Sequence, residues 1–384
     1  MENLNNQIFK IMAVLMCSFS CLILAQSDTN TEKQVRLVFN QLVSVYGSAK
    51  PQPKLEFVKE KLPIQPARYS PSPIPKIEID VALYKICQTF DKDSLNALAV
   101  VLSHELTHYY NDHTFCSDYA FANFKSNAEL QKKIGQASYN ARIEKESEAD
   151  IKGFFFAAAA GFQPHGLQGL LIEKIYSTYK LADIQKGYPS KQERIVIAKN
   201  AENTATQLYE HFKNGLSALE NKQYDVAIEL FTKANSQVPF RENWNNIGVA
   251  YARKALALKV SSKAEIENPA RFLYPLEVEN KSRLLNERTR SLDDTTEEII
   301  ELLNHAQSAF EKALQLDPSF YKSRINLACV YDLQGKHNSA IAEITEKLPE
   351  ETRASKEAKI ILAIAYYNAD MEEKAEMIWG ELKM

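Results

Sequence analysis

The sequence predicts a mainly α-helical, α+β chain in two parts: a first domain with a small sheet and a second domain of helices alone. Between residues 76 and 84 apolar and polar residues alternate, as in a strand with one buried face. Between residues 94 and 110 apolar residues recur at helical spacing. Beyond residue 205 alanine-rich segments with helical periodicity follow one another, which predicts a helical second domain.

Length and composition fit a protein of more than one globular domain. The chain has 384 residues, of which 45% are hydrophobic and 25% charged, and its formal net charge is -3. No basic block of the kind that contacts phosphates is present, so the charge pattern gives no indication of a nucleic-acid partner.

Residues 1–25 resemble a secretory signal peptide. A polar start with Lys10 leads into an apolar run from Ile11 to Ala25, and the chain becomes polar at Gln26. This run is shorter than the roughly 20 residues that a spanning helix needs, so cleavage is preferred to a retained anchor. Cys21 lacks the leucine usual three positions before a lipidated cysteine, so a lipoprotein anchor is not expected. The mature chain is therefore expected in the periplasm or outside the cell, with no transmembrane segment after cleavage.

Three cysteines remain after residue 25. Cys87 and Cys116 could form a disulfide, but their spacing in sequence does not show whether they meet, and three buried free thiols with Cys329 are the preferred interpretation.

The first domain is predicted to cover residues 26–204. Its elements in order are a helix near Thr31 to Val45, a proline-rich stretch from Pro51 to Pro75, a strand from Lys76 to Tyr84, and a helix capped by Asp93 or Ser94.

The helix after residue 94 contains the pattern H-E-x-x-H. His104 and His108 lie one turn apart and roughly 40° around the axis, so both imidazoles can reach one metal ion. Glu105 is rotated about 100° from His104, which suits a general base acting on water. A catalytic zinc takes three protein ligands, so a third His, Glu or Asp is expected downstream.

His113 is the nearest candidate for the third ligand, but no glycine follows His108 to break the helix. A continuing helix would carry His113 away from the ion, so it is not expected to be a ligand. In the segment from 142 to 153, Glu146 and Asp150 lie on the apolar stripe of a predicted helix. A carboxylate there needs a metal ion or a histidine to compensate it.

Together these segments resemble the HtpX-like and BepA-like zinc metallopeptidases, which are gluzincins. The residues concerned are His104-Glu-Leu-Thr-His108, Glu146-Ser-Glu-Ala-Asp150 and the following Gly153 to Pro164, and the similarity covers about residues 76–199. The resemblance implies a zincin-type fold, one Zn²⁺ per chain held by His104, His108 and Glu146, and Asp150 orienting a ligand histidine. It also implies that the strand from Lys76 is the edge strand that pairs with extended substrate.

One segment departs from that family. Where relatives have His-Pro-x-x-x-x-Arg-Ile, this chain has Tyr188-Pro-Ser-Lys-Gln-Glu-Arg194-Ile, with tyrosine in place of histidine. Tyr188 could donate a hydrogen bond to a tetrahedral oxyanion or could simply cap a turn. Arg194 could pair with Glu146, with Asp150 or with a substrate carboxylate.

Residues 205–384 match the tetratricopeptide-repeat pattern of small residues facing large ones. An insertion at about 258–304 divides the second copy, and it is interpreted either as a docking arm over the concave groove or the peptidase domain, or as a disordered loop. The matching residues are Gly215, Ala227, Phe231, Ala234 and Pro239; Trp244, Gly248, Tyr251, Ala306, Phe310, Ala313 and Pro318; Ala328, Tyr331 and Ala340; and Ala363, Tyr366, Ala375 and Trp379.

These patterns predict an extracytoplasmic zinc endopeptidase that hydrolyses protein substrates, with Glu105 as general base. The repeats would recruit a substrate or a protein partner, and the protein could serve in envelope protein quality control. The alternative is a repeat-based binding or chaperone-like protein whose zinc site is latent or vestigial.

Overall fold

The computed structural model describes residues 31–58, 66–71, 73–113, 128–184, 189–260, 274–279 and 297–382. These residues form mainly helices together with one small three-stranded sheet, which confirms the prediction of a mainly α chain. The proposed leader, Cys116 and Tyr188 lie outside the described residues. Two compact units are present: Met1–Val45 with Pro53–Lys199, and Tyr46–Gln52 with Asn200–Met384.

The sheet of the first unit has the strand order β1-β3-β2. Strands β1 (Lys54–Val58) and β3 (Lys76–Asp80) are parallel, and β2 (Ala67–Ser70) is antiparallel to β3. Both β1 and β2 arise from the stretch that the sequence analysis described only as proline-rich. Its prolines flank these short strands instead of interrupting them, and outer strands of a sheet tolerate that arrangement.

The predicted strand from Lys76 to Tyr84 is wrong in its length and in its place in the sheet. It ends at Asp80, because the Asp80 carboxylate accepts a hydrogen bond of 2.7 Å from the Leu83 N–H and so caps helix α2 (Val81–Gln88). Val81 and Leu83 continue the alternation by coincidence, since Leu83, Ile86 and Cys87 also form the buried face of this helix. Among the described strands β3 is central, and β1 and β2 are the outer strands.

Two long helices carry the candidate site of the first unit, α3 (Ser94–Tyr110) and α4 (Ala128–Ala159). They approach closely at Gly153, where an added Cβ would lie 2.9 Å from the backbone nitrogen of His104. Besides α2, the other helices described in this unit are α1 (31–46), α5 (Gln168–Tyr179) and the start of α6 (Lys191–Glu220). The largest fully buried side chains of this unit are Phe39, Leu42, Ile77, Ile79, Leu83, Leu98, Leu102, Phe154 and Phe155.

The described part of the second unit is mainly helical. Two glycine–phenylalanine contacts recur in it: a Cβ added to Gly215 would lie 2.7 Å from the Phe231 ring, and one added to Gly248 would lie 2.6 Å from the Phe310 ring. After α6 its helices are α7 (Tyr224–Ala234), α8 (Arg241–Val260), α9 (Glu297–Leu316), α10 (Tyr321–Leu333), α11 (His337–Thr345), α12 (Glu350–Arg353), α13 (Lys356–Asn368) and α14 (Glu372–Leu382).

Within the described part of the chain, no helix combines the length and the apolar character needed to cross a membrane. Cys87 and Cys329 are buried free thiols.

Candidate metal centre

Helix α3 brings the two histidines of the H-E-x-x-H pattern together. Their positions one turn apart place the Nε2 atoms of His104 and His108 3.0 Å from each other. The opposite face of the helix, with Leu98, Leu102 and Leu106, is buried in the core and fixes its orientation.

Glu146 approaches both histidines from helix α4. Its Oε2 lies 3.5 Å from Nε2 of His104, and its Oε1 lies 3.7 Å from Nε2 of His108. One ligand atom from each of the three residues lies within 4.8 Å of the others. Tetrahedral zinc with bonds of about 2.0–2.1 Å holds its ligand atoms about 3.3 Å apart, so both the donor types and their spacing suit this ion.

Asp150 supports His104 from behind. Its buried carboxylate lies 2.8 Å from Nδ1 of His104. If Nδ1 carries the hydrogen, Nε2 keeps its lone pair toward Glu146, which is the tautomer that a metal ligand needs. Asp150 lies outside the cluster of His104, His108 and Glu146, and this contact is the one through which it could orient His104.

His113 supports His108 in the same way, although the sequence analysis expected the helix to carry it away. The helix does not continue to His113, because α3 ends at Tyr110 in a Schellman motif, but His113 is not among the residues of the possible metal cluster. Asp112 takes a left-handed φ of 54°, and the N–H of His113 donates to the carbonyl of His108 at 3.1 Å. The side chain returns so that the two Nδ1 atoms lie 2.8 Å apart, while Nε2 of His113 lies 3.2 Å from Glu148.

Glu105 lies beside the ligand cluster and contacts the sheet. Its Oε2 accepts a hydrogen bond of 2.8 Å from the backbone N–H of Tyr69 in β2. Burial raises the pKa of Glu105, so this carboxylate accepts a proton more readily than an exposed one. A raised pKa is what a general acid–base group needs near neutral pH.

Arg194 pairs with both acidic residues of α4. Its Nη1 lies 3.0 Å from Glu146 and 3.3 Å from Asp150. Burial would raise the pKa of Glu146, but the charges of Arg194 and His104 outweigh it and lower that pKa. Of the three partners left open for Arg194, the structure shows the two protein carboxylates.

The pKa values of His104 and His108 are shifted in opposite directions. Burial would lower the pKa of His104, but its contacts with Asp150 and Glu146 raise it to about 10. Burial and the charge of His104 lower the pKa of His108 to about 3. A protonated Nε2 of His104 can then donate to Nε2 of His108, and a metal ion bound by both nitrogens would replace that proton.

Sequence reasoning assigned no role to Gly153, His113, Glu148 or Tyr69. Gly153 could have been recognised, since it lies on the stripe of Glu146 and Asp150 and is the smallest residue there. The contacts of His113 and Tyr69 depend on a helix end and on a short strand that the pattern did not show.

The chain matches no protein-family model and no curated protein.

Proposed function

We propose that the protein is a zinc-dependent endopeptidase. The observation that carries this proposal is the convergence of His104, His108 and Glu146 within 4.8 Å, with Glu105 next to His104 in the chain. Three protein ligands would leave one position of a tetrahedral zinc for a water or carbonyl oxygen, as in catalytic zinc sites.

Zinc held by these three residues would polarise the scissile carbonyl and lower the pKa of water. Glu105 takes a proton from the attacking water and passes it to the leaving amine, and its raised pKa suits both transfers. Asp150 and His113 hold the ligand histidines so that each Nε2 lone pair faces the cluster.

Strand β2 is the proposed docking edge for an extended substrate, in place of β3. It is an outer strand of the described sheet and lies next to the site, since its Tyr69 N–H donates to Glu105. Substrates that pair with an edge strand bind through main-chain hydrogen bonds, which suits a peptidase acting on unfolded segments of many sequences.

The second unit is proposed to be a tetratricopeptide-repeat module that recruits the substrate or a protein partner. The contacts Gly215–Phe231 and Gly248–Phe310 support this, because each pairs a small and a large residue at the same repeat positions. With the proposed leader at residues 1–25, the enzyme would act in the periplasm or outside the cell, for instance in envelope protein quality control.

The experiment that tests this proposal replaces Glu105 by Gln in the full chain. We expect one zinc per chain by elemental analysis in both proteins, and at least a 100-fold slower cleavage of unfolded casein by the variant. The matched control is Glu144→Gln, an exposed glutamate on α4, which should cleave at the parental rate. Cleavage by Glu105→Gln as fast as by the parent would contradict the mechanism.

A binding or chaperone-like protein with a latent zinc site is the second candidate. The observation that favours it is the ion pair between Arg194 and Glu146, which engages the third ligand with a cation. One zinc per chain together with no cleavage of casein or of other unfolded proteins would support this alternative.

A further inference from the structure

A short extended segment of the insertion lies against the helices of the second unit. Residues Tyr274–Glu279 run without helix or strand between the described parts of the chain, and they contact α8 and α10. Tyr274, Leu276 and Glu279 of this segment are buried.

Two asparagine side chains hold the backbone of this segment. Asn246 on α8 donates to the carbonyl of Glu279 at 2.9 Å and accepts from the N–H of the same residue at 2.8 Å. Asn326 on α10 forms the same pair of bonds with Glu277, at 2.8 Å and 2.7 Å. Residues two apart face the same side of an extended chain, so the two amides bind it as a neighbouring strand would.

Asn245 contacts both Asn246 and Asn326 and fixes the orientation of their side-chain amides. Its oxygen accepts hydrogen bonds of 2.9 Å from both Ser323 and Asn326, and its nitrogen donates to the carbonyl of Glu277 at 3.0 Å. All three asparagines are fully buried. Buried amides without a partner destabilise the fold, so these helices present a preorganised surface that requires a peptide backbone or ordered water against it.

The side chains of the segment show which peptide side chains this surface of the helices accepts. The hydroxyl of Tyr274 donates to Asp332 at 2.6 Å, and the carboxylate of Glu279 lies 3.3 Å from the ammonium group of Lys322. The side chain of Leu276 is buried. The matching pattern is Tyr-x-Leu-x-x-Glu in an extended conformation.

We propose that α8 and α10 form a groove for extended peptides and that Tyr274–Glu279 is an internal ligand of this groove. A partner peptide with the pattern Tyr-x-Leu-x-x-Glu displaces it. The chain leaves α8 at Val260 and enters α9 at Glu297, a connection several times longer than the 2–8 residues usual between packed helices, so joining these helices does not by itself require residues 274–279 to lie in the groove. This inference does not depend on the metal centre.

The first test replaces residues 274–279 by Gly-Ser-Gly-Ser-Gly-Ser in the full chain. The probe is a fluorescent peptide with the sequence of residues 270–281, and binding is followed by fluorescence anisotropy. We expect micromolar binding to the replaced variant and at least tenfold weaker binding to the parent, because the internal ligand competes at high effective concentration. A control peptide N-methylated at the positions of Glu277 and Glu279 lacks both backbone donors and should bind at least tenfold more weakly.

Within the replaced variant, Asn326→Ala should weaken peptide binding at least tenfold, whereas Asn221→Ala, at an exposed asparagine of the same unit, should leave it unchanged. No binding by a replaced variant that keeps its helical circular dichroism would overturn the proposal. Equal binding by parent and variant would do the same.

Hydrogen exchange in the unmodified protein decides the matter if the replaced variant does not fold. We expect the amides of residues 274–279 to exchange several-fold faster when the probe peptide is added at 1 mM, and no change with the N-methylated peptide. Unchanged exchange with the probe peptide would identify the segment as a permanent part of the fold and overturn its displacement.

Discussion

At the scale of single residues, the candidate site depends on the contacts made by the Nδ1 atoms of His104 and His108. These contacts hold each ring so that its Nε2 faces the cluster. His104 is oriented by Asp150 and His108 by His113, and each contact is 2.8 Å. Since a histidine can bind zinc only through a nitrogen that carries no proton, these outer contacts decide whether both Nε2 atoms can bind zinc.

His113→Ala should therefore weaken zinc binding although His113 is not a ligand. Without the acceptor at Nδ1, His108 can take the other tautomer or turn, and loss of such outer contacts typically lowers affinity 10- to 100-fold. Competition with a chelating dye measures the dissociation constant. The control His305→Ala, at an exposed histidine of the second unit, should not change it. Parental zinc affinity in His113→Ala would show that the contact with His108 does not orient the ligand.

The residues of this site were predictable to different degrees. His104, Glu105 and His108 followed from their spacing on one helix, and the apolar stripe singled out Glu146 and Asp150. The contact of His113 with His108 was not expected, because Asp112 provides the left-handed turn for which glycine was expected, and aspartate is among the few other residues that adopt this conformation readily. The contact of Tyr69 with Glu105 joins a strand and a helix, which no local pattern reveals.

At the scale of secondary-structure elements, the site depends on how closely α3 and α4 approach. Gly153 packs against the backbone of His104, so the side chains of Glu146 and Asp150 on α4 reach the histidines of α3. The sequence predicted these helices from their periodicity. It did not predict β1 and β2, because strands of five and four residues between prolines are too short for alternation to be distinguished.

Gly153→Ala should separate the two helices at the site. The added methyl group would lie 2.9 Å from a backbone atom that cannot move alone, and overpacking of this kind typically costs about 1–3 kcal/mol. Weaker zinc binding should accompany this loss of stability. Denaturant unfolding measures the stability, and competition with a chelator measures the zinc affinity.

Gly169→Ala is the matched control for this variant. Its new methyl group would meet only the Ile195 side chain at 3.8 Å, an ordinary contact, and alanine favours the helix. We expect Gly169→Ala to be neutral or slightly stabilising. The same small effect in both variants would mean that α3 and α4 tolerate a wider separation at His104.

At the scale of the whole molecule, each compact unit draws on residues distant in sequence. Tyr46–Gln52 belongs to the second unit, where the hydroxyl of Ser48 donates to Asp317 at 2.5 Å. Asp317 also accepts hydrogen bonds from Ser319 and forms an ion pair with Arg241. Periodicity describes neighbours along the chain, so it could not show that this early segment packs with residues near position 317.

The cluster around Asp317 should make the stability of the second unit depend on pH. Burial alone would raise the pKa of Asp317, but the hydrogen bonds from Ser48 and Ser319 and the charge of Arg241 lower it below its ordinary value. A carboxylate whose pKa is lower in the folded state stabilises that state above its unfolded pKa of about 3.9, and the contribution disappears as the pH falls through the folded value.

Asp317→Asn should therefore lower the melting temperature at pH 7 and reduce its dependence on pH between about 5 and 2. Asp225→Asn, at an exposed aspartate paired with Lys254, is the control and should keep the parental pH profile. Thermal unfolding across that pH range measures both effects. If the melting temperature of Asp317→Asn depended on pH as that of the parent does, the Asp317 carboxylate would contribute nothing to the pH dependence of stability.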